Sequence, residues 1–207
     1  MFGRFGFWGV FCLVSLCRPP GVLADVPSTQ PADPKDRFKT FMVDLSHGNS
    51  ADLADLCVAT RKDSLSMLHD FQAVASAIKS LRAAVEKKFG PGFVDSVLPQ
   101  LPSADDLDDM TESINGDRAE LRGESIYPVQ MVRSQQRWKI DLDWLAQSPD
   151  MPANPHWYGD MAQAIRRTAE DISGGRLDSP QAAIEALRAR QDGIPDGPAA
   201  TEPTTHP

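Results

Sequence analysis

Apolar residues recur along this chain with two different periods. Over residues 34–98 and 155–187 they return every three or four positions, the spacing of helices with one buried face. Between Gly116 and Leu142 they return every second position, the spacing of half-buried strands. The strand-like stretch is GDRAELRGESIYPVQMVRSQQRWKIDL. Ala119 and Leu121 alternate with Arg118, Glu120 and Arg122, then Gly123-Glu124-Ser125 breaks the run. Val129 and Met131 share one face. After Ser134-Gln135-Gln136, Trp138, Ile140 and Leu142 alternate with Arg137, Lys139 and Asp141. The pattern predicts a meander of three or four antiparallel strands with one apolar face and one wet face. So narrow a sheet folds only if helices cover its apolar face.

The helical segments have readable ends. Pro34 opens a helix carrying Phe38, Phe41, Met42 and Leu45, and Gly48 stops it. Asn49 or Ser50 is the expected cap of a short second helix with Leu53, Leu56 and Cys57. The third is predicted over Asp63 to Phe89, with Leu65, Leu68, Phe71, Val74, Ile78, Leu81, Val85 and Phe89 as its stripe and Gly90 closing it. At 1.5 Å per residue it is about 40 Å long. Its spacing is that of core packing and keeps no strict heptad. Phe93, Val94, Val97 and Leu98 form a short apolar segment between Pro91 and Pro99. Ser103 and Asp106 resemble a capping box opening an acidic helix with Asp105, Asp108, Asp109 and Glu112. After Trp144 and Leu145 comes a proline-rich loop. Asn154-Pro155 then opens a helix with Trp157, Met161, Ile165, Thr168 and Ile172, ending at Gly174-Gly175. Ser179-Pro180 opens the last, with Ile184 and Leu187. The predicted fold class is α+β, a small antiparallel sheet under several amphipathic helices, in one domain over residues 34–192. A disordered tail is expected from Gly193.

The N-terminus changes the picture. Arg4 followed by an apolar run from Phe5 to Leu16, then Val22-Leu23-Ala24, has the layout of an export signal cleaved after Ala24. Residues 25–33 then make an unstructured leader. The protein is expected to be exported, periplasmic or extracellular, with no membrane contact after cleavage. Two alternatives stay open: an uncleaved N-terminal anchor, and a lipidated Cys17, although Leu16 is larger than the residue that normally precedes such a cysteine. Loss of residues 1–24 removes Arg4 and Arg18 and no acidic residue, so the net charge of −8 becomes −10. A chain this acidic, with no basic run, is not expected to bind nucleic acid. Cys12 and Cys17 go with the signal. Cys57 then stands alone, which excludes an internal disulfide and a paired-cysteine metal site.

The search for chemistry yields little. His47, His69, His156 and His206 are scattered and form no His-x-x-x-His pair. No nucleophile elbow, phosphate loop or dinucleotide fingerprint is present. The acidic run Asp105 to Glu112 lacks the alternation and the glycine of a calcium loop. No cofactor or metal is expected. The weak catalytic candidates are Asp141 and Asp143, at the end of the last strand, with His156 at the start of the next helix. Together with Trp157 and Tyr158 they would line the mouth of a pocket between sheet and helix. The plainer reading is that Asp141 caps the turn around Trp144 and the aromatics are packing residues.

One resemblance is carried by particular residues. Gly116, Asp117 and Ala119 open a strand; Pro128, Met131, Val132 and Arg133 close the next; Arg137-Trp138-Lys139-Ile140-Asp141 follows a tight turn. This resembles the C-terminal strands of small exported bacterial proteins in the nuclear transport factor 2-like superfamily, relatives of ketosteroid isomerase and polyketide cyclase. His47-Gly48-Asn49-Ser50 between the first two helices fits the same pattern. The resemblance covers residues 34–145, and Gln135-Gln136 stands where an Asp-Gly turn is usual. It implies helices packed into the concave face of a curved sheet around a cone-shaped pocket. It also implies, for isomerase members, a carboxylate base and a tyrosine oxyanion donor, but no residue here falls on those positions. Fold likeness alone does not deliver a reaction. The expected role is therefore a non-catalytic binding or structural module of the cell envelope, with an unknown protein or a small apolar molecule as partner. The alternatives are a cone-pocket enzyme or carrier and a helical interaction protein that presents its long helix.

Overall fold

The computed structural model describes residues 33–98, 107–123, 126–149, 151–152 and 154–195. The export segment, the leader before Asp33, Ser103, Asp105, Asp106 and the chain from residue 196 onward lie outside the described residues.

Asp33 and Pro34 start α1 (Pro34–His47). The Asp33 carboxylate accepts from the Lys35 amide at 3.0 Å, and Pro34 sits in the first turn, where no N–H is needed. Phe38, Phe41 and Leu45 form its buried stripe. Gly48 ends it in the left-handed region (φ 79°, ψ 27°). A Cβ at Gly48 would stand 2.5 Å from the Lys79 Cβ and 2.8 Å from the Ala75 carbonyl oxygen. Both the dihedral and the close approach to the long helix therefore require glycine.

α2 (Leu53–Leu56) is a single turn whose N-cap is Asp52, with no side-chain bond. Neither expected cap is used, because the Asn49 amide donates to the Asp44 carboxylate instead. Cys57 also leaves the expected helix. It begins β1 (Cys57–Val58), a two-residue strand in which it pairs in parallel with Ile140. α3 (Lys62–Phe89) is 28 residues long and buries Phe71, Val74, Ile78, Leu81 and Val85. Leu65 departs from the expected stripe and is 42% exposed. Ser64 takes the inward position there, fully buried and donating to Asp143. A 3-10 turn (Pro91–Phe93) and α4 (Val94–Val97) follow.

The fold is α+β. Its sheet has five strands among the described residues, one more than the widest expectation, in the order β1-β5-β4-β3-β2. β3 (Arg118–Gly123), β4 (Ile126–Ser134) and β5 (Arg137–Asp141) are the meander read from the two-residue period. β2 (Thr111–Asn115) was unforeseen: Glu112, expected on the acidic helix, is a strand residue opposite Leu121. Ala119 pairs with Met131, Leu121 with Val129 and Met131 with Ile140, so the apolar residues of three strands share one buried face. Arg133, opposite Trp138, lays its guanidinium 4.7 Å from the indole centroid. Gln135 and Gln136 close the β4–β5 turn with φ of 50° and 62°, the backbone that Asp-Gly or Asn-Gly adopts most easily.

Helices pack against this face. α1 lies on β3 and β5 and also against α3. α5 (Leu142–Leu145) turns the chain out of the sheet, with the Asp141 side chain accepting from the Trp144 amide at 3.0 Å. α6 (Trp157–Ser173) runs along α3, and α7 (Pro180–Asp192) packs on α6 and α4. His156, two residues past the expected Asn154, is the cap position of α6, while the Asn154 side chain accepts from the His156 amide at 2.9 Å. The last two helices are locked by Asp171, which binds Arg176 and Arg190 together. Arg190 also donates to the buried Thr168 hydroxyl at 2.7 Å. Ile194, just beyond α7, is buried.

Candidate functional site

Two kinds of feature could support function: the polar residues singled out in the sequence, and a cleft between the helices. The polar residues are placed first. Asp141 is committed to the Trp144 amide, as the plainer reading had it. Asp143 binds the start of α3. It accepts from the Thr60 amide at 2.9 Å, the Thr60 hydroxyl at 2.5 Å, the Arg61 amide at 3.1 Å and the Ser64 hydroxyl. Burial alone would raise the Asp143 carboxyl, but the Ser64 and Thr60 hydroxyls and the two amides outweigh it and hold it well below the usual carboxylate range. His156 stands away from both. Its neighbours are Asp70 and Asp160, and among the described residues no hydrogen bond joins its ring to Asp141 or Asp143.

His156 borders a second, smaller pocket of about 440 Å³ with Lys62, Ser66, Met67, Asn154 and Met151. One oxygen of Asp70 is buried close by without a hydrogen-bond partner. Burial lifts the Asp70 carboxyl above its ordinary range, against His156 and His69 and with Asp160. Gly159 lets α6 approach it, since a Cβ there would lie 3.2 Å from Asp70 Oδ1. Among the described residues no group of three or more His, Cys, Asp or Glu is placed to hold a metal ion. Nor is any described helix long and apolar enough to cross a membrane. Cys57 is buried, and that burial pushes its thiol up to about 12 despite Lys139 nearby, so it is not poised as a thiolate.

The larger cleft, about 660 Å³, lies among α1, α3, α4, α6, α7 and one end of β4. α3 supplies Phe71, Val74 and Ile78; α6 supplies Trp157, Tyr158, Met161 and Ile165. α7 presents Ile184, Leu187, Arg188 and Gln191, spaced so that they share one helix face. Tyr127, two residues before Val129 and 60% exposed, reaches the cleft from the sheet. The inner-face residues Leu121, Met131, Trp138 and Ile140 do not line it, being buried in the continuous core to which α1 and α3 also contribute. The aromatic wall is ordered by ring contacts: Phe71 lies 4.7 Å from Tyr158, and Trp157 meets Tyr158 edge-on at 5.0 Å. Burial, with Tyr127 adding to it, pushes the Tyr158 phenol up to about 12, so it is a hydrogen-bond donor at neutral pH. It has no hydrogen-bond partner among the described residues.

Of the residues flagged beforehand, Trp157 and Tyr158 therefore do line a cleft. Asp141 and Asp143 do not, and His156 borders the smaller pocket. Ile184, Leu187 and Met161 belong to the apolar helix faces expected from the spacing; Leu187 is buried in the core and the other two pack against it. The apolar stripe of α7 is interrupted at Arg188, and that was the one signal in the sequence pointing to an open face.

No family model, no curated protein and no solved structure matches the chain.

Proposed function

We propose that this protein binds a small apolar molecule, without catalysis, in the cleft between α3, α6 and α7. The observation that carries the reading is the lining: about 660 Å³ walled mainly by aliphatic and aromatic side chains, with no carboxylate and no imidazole on the wall among the described residues. A volume in this range is that of ordinary small-ligand sites. Proton-transfer chemistry would need a base within reach of the ligand, and none of the candidates Asp141, Asp143 and His156 lines this cleft. The alternative in which α3 presents a partner surface is less favoured, because most of its apolar stripe is already buried.

Export and membership of the nuclear transport factor 2-like superfamily belong to the same proposal. The layout of residues 1–24 supports the first. An antiparallel β2–β5 run with α1 on its apolar face supports the second.

Calorimetric titration with a neutral apolar ligand such as dodecanol tests the binding reading. Saturable one-site binding is expected, lost in Ile184→Trp, which fills the cleft from a half-buried position, at an unchanged melting temperature. Absence of saturable binding to the native chain, or binding indifferent to Ile184→Trp, would overturn it.

A further inference from the structure

We propose that the occupant of this cleft is a single-chain amphiphile with a carboxylate head, held at the mouth by Arg188. The inference rests on the binding reading above and adds the chemistry of the ligand. It begins from charge. The chain carries 29 acidic against 21 basic residues, yet among the described residues the one ionised side chain on the cleft wall, Arg188, is a cation. A wall with apolar depth and one positive rim residue complements a molecule that is apolar along its length and negative at one end.

The comparison with Arg190 sharpens the point. Arg190, on the same helix, is fully employed, binding Asp171 and the Thr168 hydroxyl to hold α7 against α6. Arg188 is exposed and has no ion-pair or hydrogen-bond partner among the described residues. It also falls four residues after Ile184, in the stripe that otherwise points into the cleft. On that helix face Arg188 and Gln191 are the polar residues beside Ile184 and Leu187, and Arg188 stands exposed at the rim. Its planar fork suits a carboxylate, which it can hold through two parallel hydrogen bonds. Tyr158, whose hydroxyl has no hydrogen-bond partner among the described residues, offers a further donor on the cleft wall.

The ligand is a free monomer rather than a bilayer surface, because the apolar wall is recessed between helices. Titration of the full chain with laurate and dodecylammonium below their micellar concentrations, and with dodecanol below its solubility limit, tests the assignment. Laurate should bind about tenfold more tightly than dodecanol, the worth of one charge-assisted contact, and dodecylammonium more weakly than either. Affinity should rise about fourfold for each methylene between octanoate and laurate. Arg188→Gln should erase the preference for laurate while leaving dodecanol binding and the melting temperature unchanged. Equal binding of laurate and dodecanol by the native chain, or a laurate preference that survives in Arg188→Gln, would overturn the head-group assignment and leave the apolar cleft standing. Failure of all three to bind would overturn both. Recovery of the protein on anionic phospholipid vesicles, with no binding of monomeric laurate, would reassign the site to a membrane surface and overturn the proposal.

Discussion

Replacing Asp143 with alanine tests how the sheet is tied to the long helix. This one carboxylate accepts from two backbone amides and two hydroxyls around the first turn of α3. Hydrogen bonds to a charged acceptor contribute roughly 1.5–3 kcal/mol apiece, but four such terms do not add. Thr60 and Arg61 are exposed, so water replaces the lost acceptor at their amides. Ser64 is fully buried, yet its hydroxyl can turn to the Arg61 carbonyl oxygen, 2.9 Å away. The expected cost of Asp143→Ala is therefore about 2 kcal/mol, the upper end for loss of a helix cap. Urea denaturation at pH 7 should show it as a lower midpoint with an unchanged slope. The pH dependence supplies a second check. The folded-state pKa of Asp143 is depressed, so its contribution is present above the unfolded value of about 3.9 and is lost as pH falls through the folded value. The gap between native and variant proteins should narrow steadily below pH 4. A gap under 0.5 kcal/mol at pH 7, or one that does not shrink in acid, would refute the account of this tie.

Trp138→Ala should cost about 3–5 kcal/mol in the same assay, as for other large buried aromatics, since Trp138 is 2% exposed beneath the helices; a change under 0.5 kcal/mol would place the indole in water. Glu112 should act with the opposite pH sign to Asp143. Burial, and a proton shared with Asp33, raise its carboxyl from 4.5 to about 7, with the Lys35 amide opposing, so its stabilising contribution is full below the unfolded pKa and is lost as pH rises through 7. Hydrogen exchange at β2 should accelerate between pH 5 and 8 beyond the intrinsic trend, and Glu112→Gln should abolish that excess; an excess that persists in Glu112→Gln would refute the assignment.

Much of the scaffold was legible because its signals are local. Pro34, Gly48, Gly90 and Ser179-Pro180 each mark a helix end through backbone geometry that few other residues satisfy, although Asp33, placed in the leader, proves to be the cap of α1. The alternation in Arg137 to Asp141 fixes which side of β5 faces the core. What was missed depends on partners far away in the chain. β1 exists only because Cys57 and Val58 meet Ile140 and Asp141, and two residues carry no period. β2 is an edge strand with Ile114 54% exposed, so burial never wrote an alternating pattern into it. Leu65 obeys the helical spacing but lies outside the cover, because Ser64 makes the contact to Asp143.

The cleft escaped the sequence for a related reason. An apolar stripe states which side of a helix avoids water, not whether the opposing side chains fill the space against it. α3 is flanked by α1 on one side and α6 on another, and its small residues Ala75, Ala77 and Ala84 are all buried. Around the cleft, Phe71, Val74 and Ile78 of α3 face Trp157, Met161 and Ile184 across a space they do not fill. The same spacing that predicted packing at Ile184 and Leu187 therefore produced a cavity wall. Only the polar exceptions distinguish the two outcomes. In α7 a sealed core would be expected to place an aliphatic residue at the position of Arg188, and the cation found there is what turns a gap in the packing into a candidate binding site.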